Sequence, residues 1–276
     1  MNSAVLPIEA VLPATARRPL PGGIAGVVSA SRMPPPPPPA VIHTGIPQID
    51  SLTGGIPRGM LTEIFGPASS GRTSLLLAIL AQVTHRGEVC ALIDATDSFD
   101  PESAQAAGVE LKRVLWVRCG KEVSRFSFLV SGPAKNGPDE KLETRNQKLT
   151  PVERALKAAD LLLQAGGFGL VAIEMGDVPP PIARRVPLTS WFRFRRAVEH
   201  TPTALVVIEE EAFANSAAGL VLKMSAAAAR RSPPKPMPSH ARLLTATEIS
   251  VEVVRSVAER KRPARAAAFQ TRALWA

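Results

Sequence analysis

The chain has 276 residues, 45% of them hydrophobic, with 27 prolines, two cysteines and a formal net charge of +9. That suffices for one large domain with tails; no apolar run reaches the ~18 residues needed to cross a bilayer, and Pro7, Glu9, Pro13 and Pro19 interrupt any secretory pattern at the start. The expectation is a cytoplasmic protein, with Cys90 and Cys119 as buried free thiols in apolar runs, because two cysteines alone do not supply a metal site.

The charge is unevenly spread. Residues 230–276 carry ten Lys/Arg against three acids, residues 1–40 carry three against one, and residues 41–229 balance at twenty each. A basic C-terminal stretch fits contact with nucleic-acid phosphates, and equally fits a solvated, solubilising tail.

In chain order, residues 1–40 read as a disordered segment ending in the polyproline spacer Pro34–Pro39. Gly59–Gly66 reads as a strand closing on glycine, and Arg72 to His85 as a helix with Leu75, Leu76, Ile79, Leu80 and Val83 apolar and Gly87 as its stop. Val89–Asp94 is a buried strand, Pro101–Ala107 a short helix, Val114–Val117 a strand, and the polar stretch Gly132–Thr150 a loop or insertion. Pro151–Gln164 starts on proline and ends on Gly166-Gly167, as helices do. Leu170–Glu174 is a strand, Thr189–His200 a helix, Thr203–Glu209 a strand, and Glu248–Val254 an added edge strand. Apolar strands alternating with helices predict an α/β core over residues 41–255, a mainly parallel sheet with helices on both faces, followed by a basic tail over 256–276.

The chemistry centres on Gly66-Pro67-Ala68-Ser69-Ser70-Gly71-Arg72-Thr73, continuing into Ser74. It fits the phosphate-loop pattern G-x-x-x-x-G-K-[ST] except that Arg72 replaces lysine. The glycines let backbone N–H groups converge on phosphate oxygens, the helix adds its positive end, and the Thr73 hydroxyl suits a magnesium ion. Arginine is longer, planar and forked, so it neutralises phosphate but places its charge poorly for transfer of a γ-phosphate. A glycine turn with no nucleotide remains the plain alternative.

Four segments closely resemble the RecA recombinase family: Thr44–Asp50, Gly54–Gly59, Thr62–Thr73 and Ile93–Pro101. The likeness is dense to about Val117 and weaker to about Val254, and it implies a RecA-like P-loop core that binds ATP and DNA in recombination, repair and damage signalling. It also implies base contact by Asp100 and a magnesium site at Thr73 with Glu174, where the family has an aspartate. The departures fall on the chemistry. Thr96 stands where the family has its water-activating glutamate, and a hydroxyl is a poor base at neutral pH. The phosphate-sensing glutamine is replaced within Glu209–Glu211, with Glu210 at the eroded position, and the chain has no tyrosine to stack on adenine, Ser103 lying near that place. No catalytic residue is assigned.

The family's first DNA loop corresponds to Asp177–Leu188, which places Arg184 and Arg185 at phosphates; the second is short, Glu211–Gly219. Arg260, Lys261, Arg262 and Arg265 line a DNA path or lie in a solvated end. Trp191-Phe-Arg-Phe-Arg-Arg196 suits single-stranded nucleic acid by stacking, or an amphipathic helix with Trp191 and Phe194 turned to the core. The family's polymerisation element and separate C-terminal domain are not recognisable.

The pattern is similar to the reduced RecA relatives of the ImuA type, which implies a repair accessory protein that binds ATP without efficient hydrolysis, binds DNA, and partners a translesion polymerase or RecA. The alternatives are an active DNA-dependent ATPase and a nucleotide-free scaffold.

Overall fold

The order of strands, more than their number, fixes where a ligand can sit. The structure is a computed structural model that describes residues 39–120, 149–231, 244–257 and 265–272. The polyproline segment, the polar stretch up to residue 148 and the cations Arg260, Lys261 and Arg262 therefore lie outside the described residues.

The strands are β1 (Val41–Ile42), β2 (Ile56–Pro57), β3 (Leu61–Phe65), β4 (Cys90–Asp94), β5 (Val114–Arg118), β6 (Leu170–Glu174), β7 (Ala204–Glu209), β8 (Leu220–Arg231), β9 (Leu244–Ser256) and β10 (Arg265–Arg272). β1 and β2 form a small antiparallel pair; the other eight form one sheet in the order β10-β9-β8-β3-β7-β6-β4-β5. From β5 to β8 all neighbours are parallel, and β9 and β10 close the sheet antiparallel. The helices are α1 (Pro47–Thr53), α2 (Arg72–His85), α3 (Pro101–Ala106), α4 (Pro151–Ala165), α5 (Pro180–Ala183) and α6 (Leu188–Val198). This is the α/β core that the periodicity predicts.

Both faces of the central strands are covered, which explains why they are apolar without alternation. Leu170 and Ala172 of β6 pack towards α2, with Leu75, Ile79, Leu80 and Val83. Val171 and Ile173 pack the other way, with Ala155 and Ala159 of α4 and Trp191 and Phe194 of α6. α4 begins in a capping box, the Thr150 hydroxyl accepting from the Glu153 N–H while the Glu153 carboxylate accepts from the Thr150 N–H. Cys90 and Cys119 are free and buried as expected; burial, then the Glu88 charge, pushes the Cys90 thiol up to about 12.

Two expectations change. Glu248–Val254 is not an edge: it belongs to the thirteen-residue β9, which lies between β8 and β10. The stretch expected as a tail contributes β10, paired with β9 from Arg265↔Val253 to Arg272↔Ala246. The strands that the sequence hid carry Ala226–Ala229 and Ala266–Ala268, and alanine is depleted in strands, so neither shows a strand pattern.

The helix α6 resolves the aromatic-basic run. Trp191 and Phe194 are fully buried, edge to face with ring centres 6.0 Å apart, while Arg193, Arg195 and Arg196 reach water and Phe192 is half exposed. Phe194→Ala is expected to cost about 3–5 kcal/mol of stability in urea unfolding, as large aromatic truncations in cores do. Phe192→Ala is expected to stay within about 0.5 kcal/mol; comparable losses for both would contradict this orientation of α6.

Candidate functional site

The strand β3 lies between β7 and β8, so the loop that follows it opens at the carboxyl ends of the parallel strands, where open α/β sheets take ligands. The loop geometry demands its glycines. A Cβ at Gly66 would run into the Met224 carbonyl oxygen and the Ser70 hydroxyl, and one at Gly71 would run into the Ile249 side chain of β9. Gly71 is also the N-cap of α2 with φ of 89°, a backbone that favours glycine. α2 has neither a side-chain cap nor an acidic residue in its first turn, leaving its N-terminal N–H groups and positive end for an anion. Pro67, Ala68, Ser69 and Thr73 are exposed, Ser74 is half-buried, and the buried Ser70 Oγ has no hydrogen-bond partner. These features fit a phosphate group.

The metal half of the expected site does not fit as well. Glu174, at the end of β6, is buried, while Thr73 is exposed. Glu174 Oε1 accepts from the Gly176 N–H at 2.8 Å and Oε2 has no partner. Burial raises this carboxyl to about 7, opposed by the Gly176 hydrogen bond and the Arg72 charge. Arg72 itself is turned inward, its Nη1 donating to the Glu209 carbonyl at 2.7 Å. A divalent ion at Glu174 would meet this guanidinium at close range.

No general base stands at the expected position. Thr96 Oγ1 is buried and unbonded. Asp94 is fully occupied: its oxygens accept from the N–H groups of Thr96 (3.3 Å), Ser98 (3.1 Å) and Phe99 (3.0 Å) and from Trp116 Nε1 (3.2 Å). Asp97 pairs with Arg118 at 3.2 Å, and Arg118 stacks on Trp116 at 4.6 Å. Asp100 is exposed, but its carboxylate caps α3, accepting from the N–H groups of Glu102 and Ser103 and from the Ser103 hydroxyl, whose hydrogen bond holds it below its ordinary range.

The acidic run at the end of β7 divides by partner. The Glu209 side chain points away from α2, towards Glu63 of β3; both residues are fully buried. Glu63 Oε1 accepts from the N–H of Phe213 and, at 2.7 Å, of Ala214, leaving Glu63 Oε2 and both Glu209 oxygens without partners. Burial, then the adjoining Glu63, pushes the Glu209 carboxyl well above its ordinary value of 4.5. Glu210 is half-buried and unbonded among the described residues. Glu211 pairs with Arg184, whose guanidinium lies 5.9 Å from the Phe213 ring centre. Arg195 Nη1 donates to the Ser216 carbonyl at 3.3 Å and Arg255 Nη1 to that of Asn215 at 3.0 Å. The two expected DNA loops are thus joined to each other through Arg184, while Arg185 is exposed with no side-chain partner among the described residues. Arg265 opens β10, away from any free tail.

Sequence reading did not single out Glu63, although a carboxylate in the apolar strand Leu61-Thr-Glu-Ile-Phe65 is itself a signal, since acids are almost never fully buried unless paired.

The raised Glu209 carboxyl has a stability consequence. An acid whose folded value exceeds its unfolded one contributes stability that is complete below the unfolded value and lost as pH rises through the folded one. Unfolding free energy is therefore expected to fall as pH rises above 4.5. Glu209→Gln should flatten this decline without abolishing it, because Glu174 keeps its own share between 4.5 and about 7. Denaturant titrations of both proteins across this pH range check it, and parallel declines would contradict it.

Residues 40–121 match the RecA N-terminal domain. Among curated proteins, the chain is similar to Protein RecA of Deinococcus radiodurans, 31% identical over 186 residues that cover 62% of this chain and 43% of that protein. It is 30% identical to Protein RecA of Clavibacter michiganensis subsp. michiganensis over 187 residues, again 62% and 43% of the two chains. The match to Protein RecA of Cutibacterium acnes is 34% over 137 residues, 49% of this chain and 31% of that one. The chain spans less than half the length of these relatives.

Proposed function

Because the chain is a divergent member of the RecA family, we propose that it works as an accessory protein of DNA recombination and repair, holding ATP weakly and without efficient hydrolysis. One observation carries this reading: the phosphate loop keeps its shape while a threonine, Thr96, stands at the position of the family's water-activating glutamate. Gly66 and Gly71 are sterically required, whereas Thr96 offers a hydroxyl, Asp94 is fully occupied, and Asp97 gives one oxygen to Arg118. ATP would supply a triphosphate to the loop; the chain's own contribution is the N-terminus of α2 and the loop backbone. The active DNA-dependent ATPase is disfavoured on the same ground.

DNA, single-stranded by preference, is the proposed macromolecular ligand, held through Arg185, through Arg184 after exchange of its exposed Glu211 pair, and through Arg260, Lys261, Arg262 and Arg265. An exposed ion pair is worth only ~0–1 kcal/mol, so a phosphate can displace Glu211 from Arg184. A translesion polymerase or RecA is the proposed protein partner, on the strength of the ImuA-like pattern of an altered nucleotide site with a basic stretch after the core. The second reading, a nucleotide-free scaffold, is favoured by the inward bond from Arg72 to Glu209, which closes the loop without a ligand.

The test measures ATP binding and turnover with and without single-stranded DNA. Binding without DNA-stimulated turnover is expected; turnover that Arg72→Ala abolishes would establish the ATPase reading instead, and no binding would leave the scaffold. Removing residues 256–276 would also remove β10, so the DNA test uses substitution. Replacing Arg260, Lys261 and Arg262 by alanine is expected to weaken DNA binding and reduce the slope of log K against log salt by about 0.7 per lost contact to single strands. An unchanged slope would remove these residues from the DNA path.

A further inference from the structure

Arg72 is where the phosphate loop departs from its pattern, and its side chain takes an unexpected course. It is 7% exposed and anchored on the Glu209 carbonyl at 2.7 Å. Its guanidinium also lies against Gly176. A Cβ at Gly176 would stand 3.2 Å from Arg72 Cζ, 3.3 Å from Nη1, and 2.7 Å from Glu174 Oε1. A single point thus lies close to both groups, so the cation is near the Glu174 carboxylate without a direct ion pair between them, and glycine is what leaves room for them. Glu174 is buried with one oxygen unpartnered. A carboxyl in that condition is balanced either by a proton or by a positive charge nearby, and Arg72 supplies the charge. Arginine stays charged at any working pH, and the carbonyl bond fixes its plane.

The geometry points to Arg72 as the resident cation of this site, standing where a divalent ion would otherwise balance Glu174, so that the loop takes a phosphate-bearing ligand without metal. This deepens the phosphate-binding reading and rests on it. The ligand class is a free nucleoside di- or triphosphate, or an inorganic oligophosphate, held by the α2 N-terminus and the loop, with the unpartnered Ser70 Oγ as a further donor. Two cations a few ångströms apart repel, so a metal entering at Glu174 would have to displace Arg72 and leave the Glu209 carbonyl bare.

The experiment is calorimetric titration of the full chain with ATP and with pyrophosphate, in magnesium chloride and in EDTA. Dissociation constants agreeing within about twofold are expected, because the salt and not the site then sets the difference. A tenfold or greater loss in EDTA would overturn the proposal. Arg72→Met is expected to make binding depend on magnesium, and adding Glu174→Gln to it should restore indifference; an Arg72→Met protein that stays indifferent contradicts the proposal. Melting temperatures supply an arm free of nucleotide. Arg72→Met should lower Tm by several degrees, and by clearly less in the Glu174→Gln background. If the wild-type protein binds no phosphate ligand in either buffer, the phosphate-binding reading fails, and the Tm comparison alone decides the Arg72–Glu174 pairing. Equal Tm losses in the two backgrounds would overturn that pairing.

Discussion

Glu209 is the residue on which the two halves of the site meet. Its carbonyl accepts from Arg72 at the start of α2, and from the Gly66 N–H at 3.3 Å. Its carboxyl, on the opposite side of β7, is pressed against Glu63, which in turn holds the Phe213 and Ala214 N–H groups. A shift of the β7 end by a fraction of an ångström is therefore felt by the phosphate loop and by the loop after β7 together. The protein holds this junction with hydrogen bonds that are inexpensive to form and costly to leave unmade.

Much of the core was legible because its signals are local. The run from Arg72 to His85 has helical spacing and stops at Gly87, and β4, β6 and β7 are short apolar runs bounded by polar or turn residues. The phosphate loop was legible because its glycines are chemical necessities. β8 and β10 were not, because alanine-rich segments show no alternation; they are strands through pairing with β9, a property of the whole sheet and not of the segment. The same reason makes Glu248–Val254 interior when its own residues suggest an edge.

The site divides in the same way. Residue type showed that the water-activating glutamate is replaced by Thr96 and that Arg72 replaces lysine. Direction was hidden. Nothing in the sequence says that Arg72 folds towards Glu209, that Glu209 turns to Glu63 and Glu211 to Arg184, or that Asp100 spends its oxygens on α3. Side-chain direction at a strand end depends on which strands flank it, and the order β3-β7-β6 is a non-local fact.

β8 outruns its neighbour. It pairs with β3 only from Leu220 to Lys223, and runs on to Arg231 with β9 alone. Along the remaining eight of its twelve residues, one margin of the strand carries backbone donors and acceptors that no other described strand takes up. Such margins recruit other chains into fibrils unless something spoils the match. Here the exposed segment ends in Arg230 and Arg231, and its register with β9 is broken between Ala226 and Ala228 and again between Arg230 and Arg231. Irregular pairing and paired cations make a poor template, so the length of this ribbon is compatible with a protein that stays dispersed at high concentration.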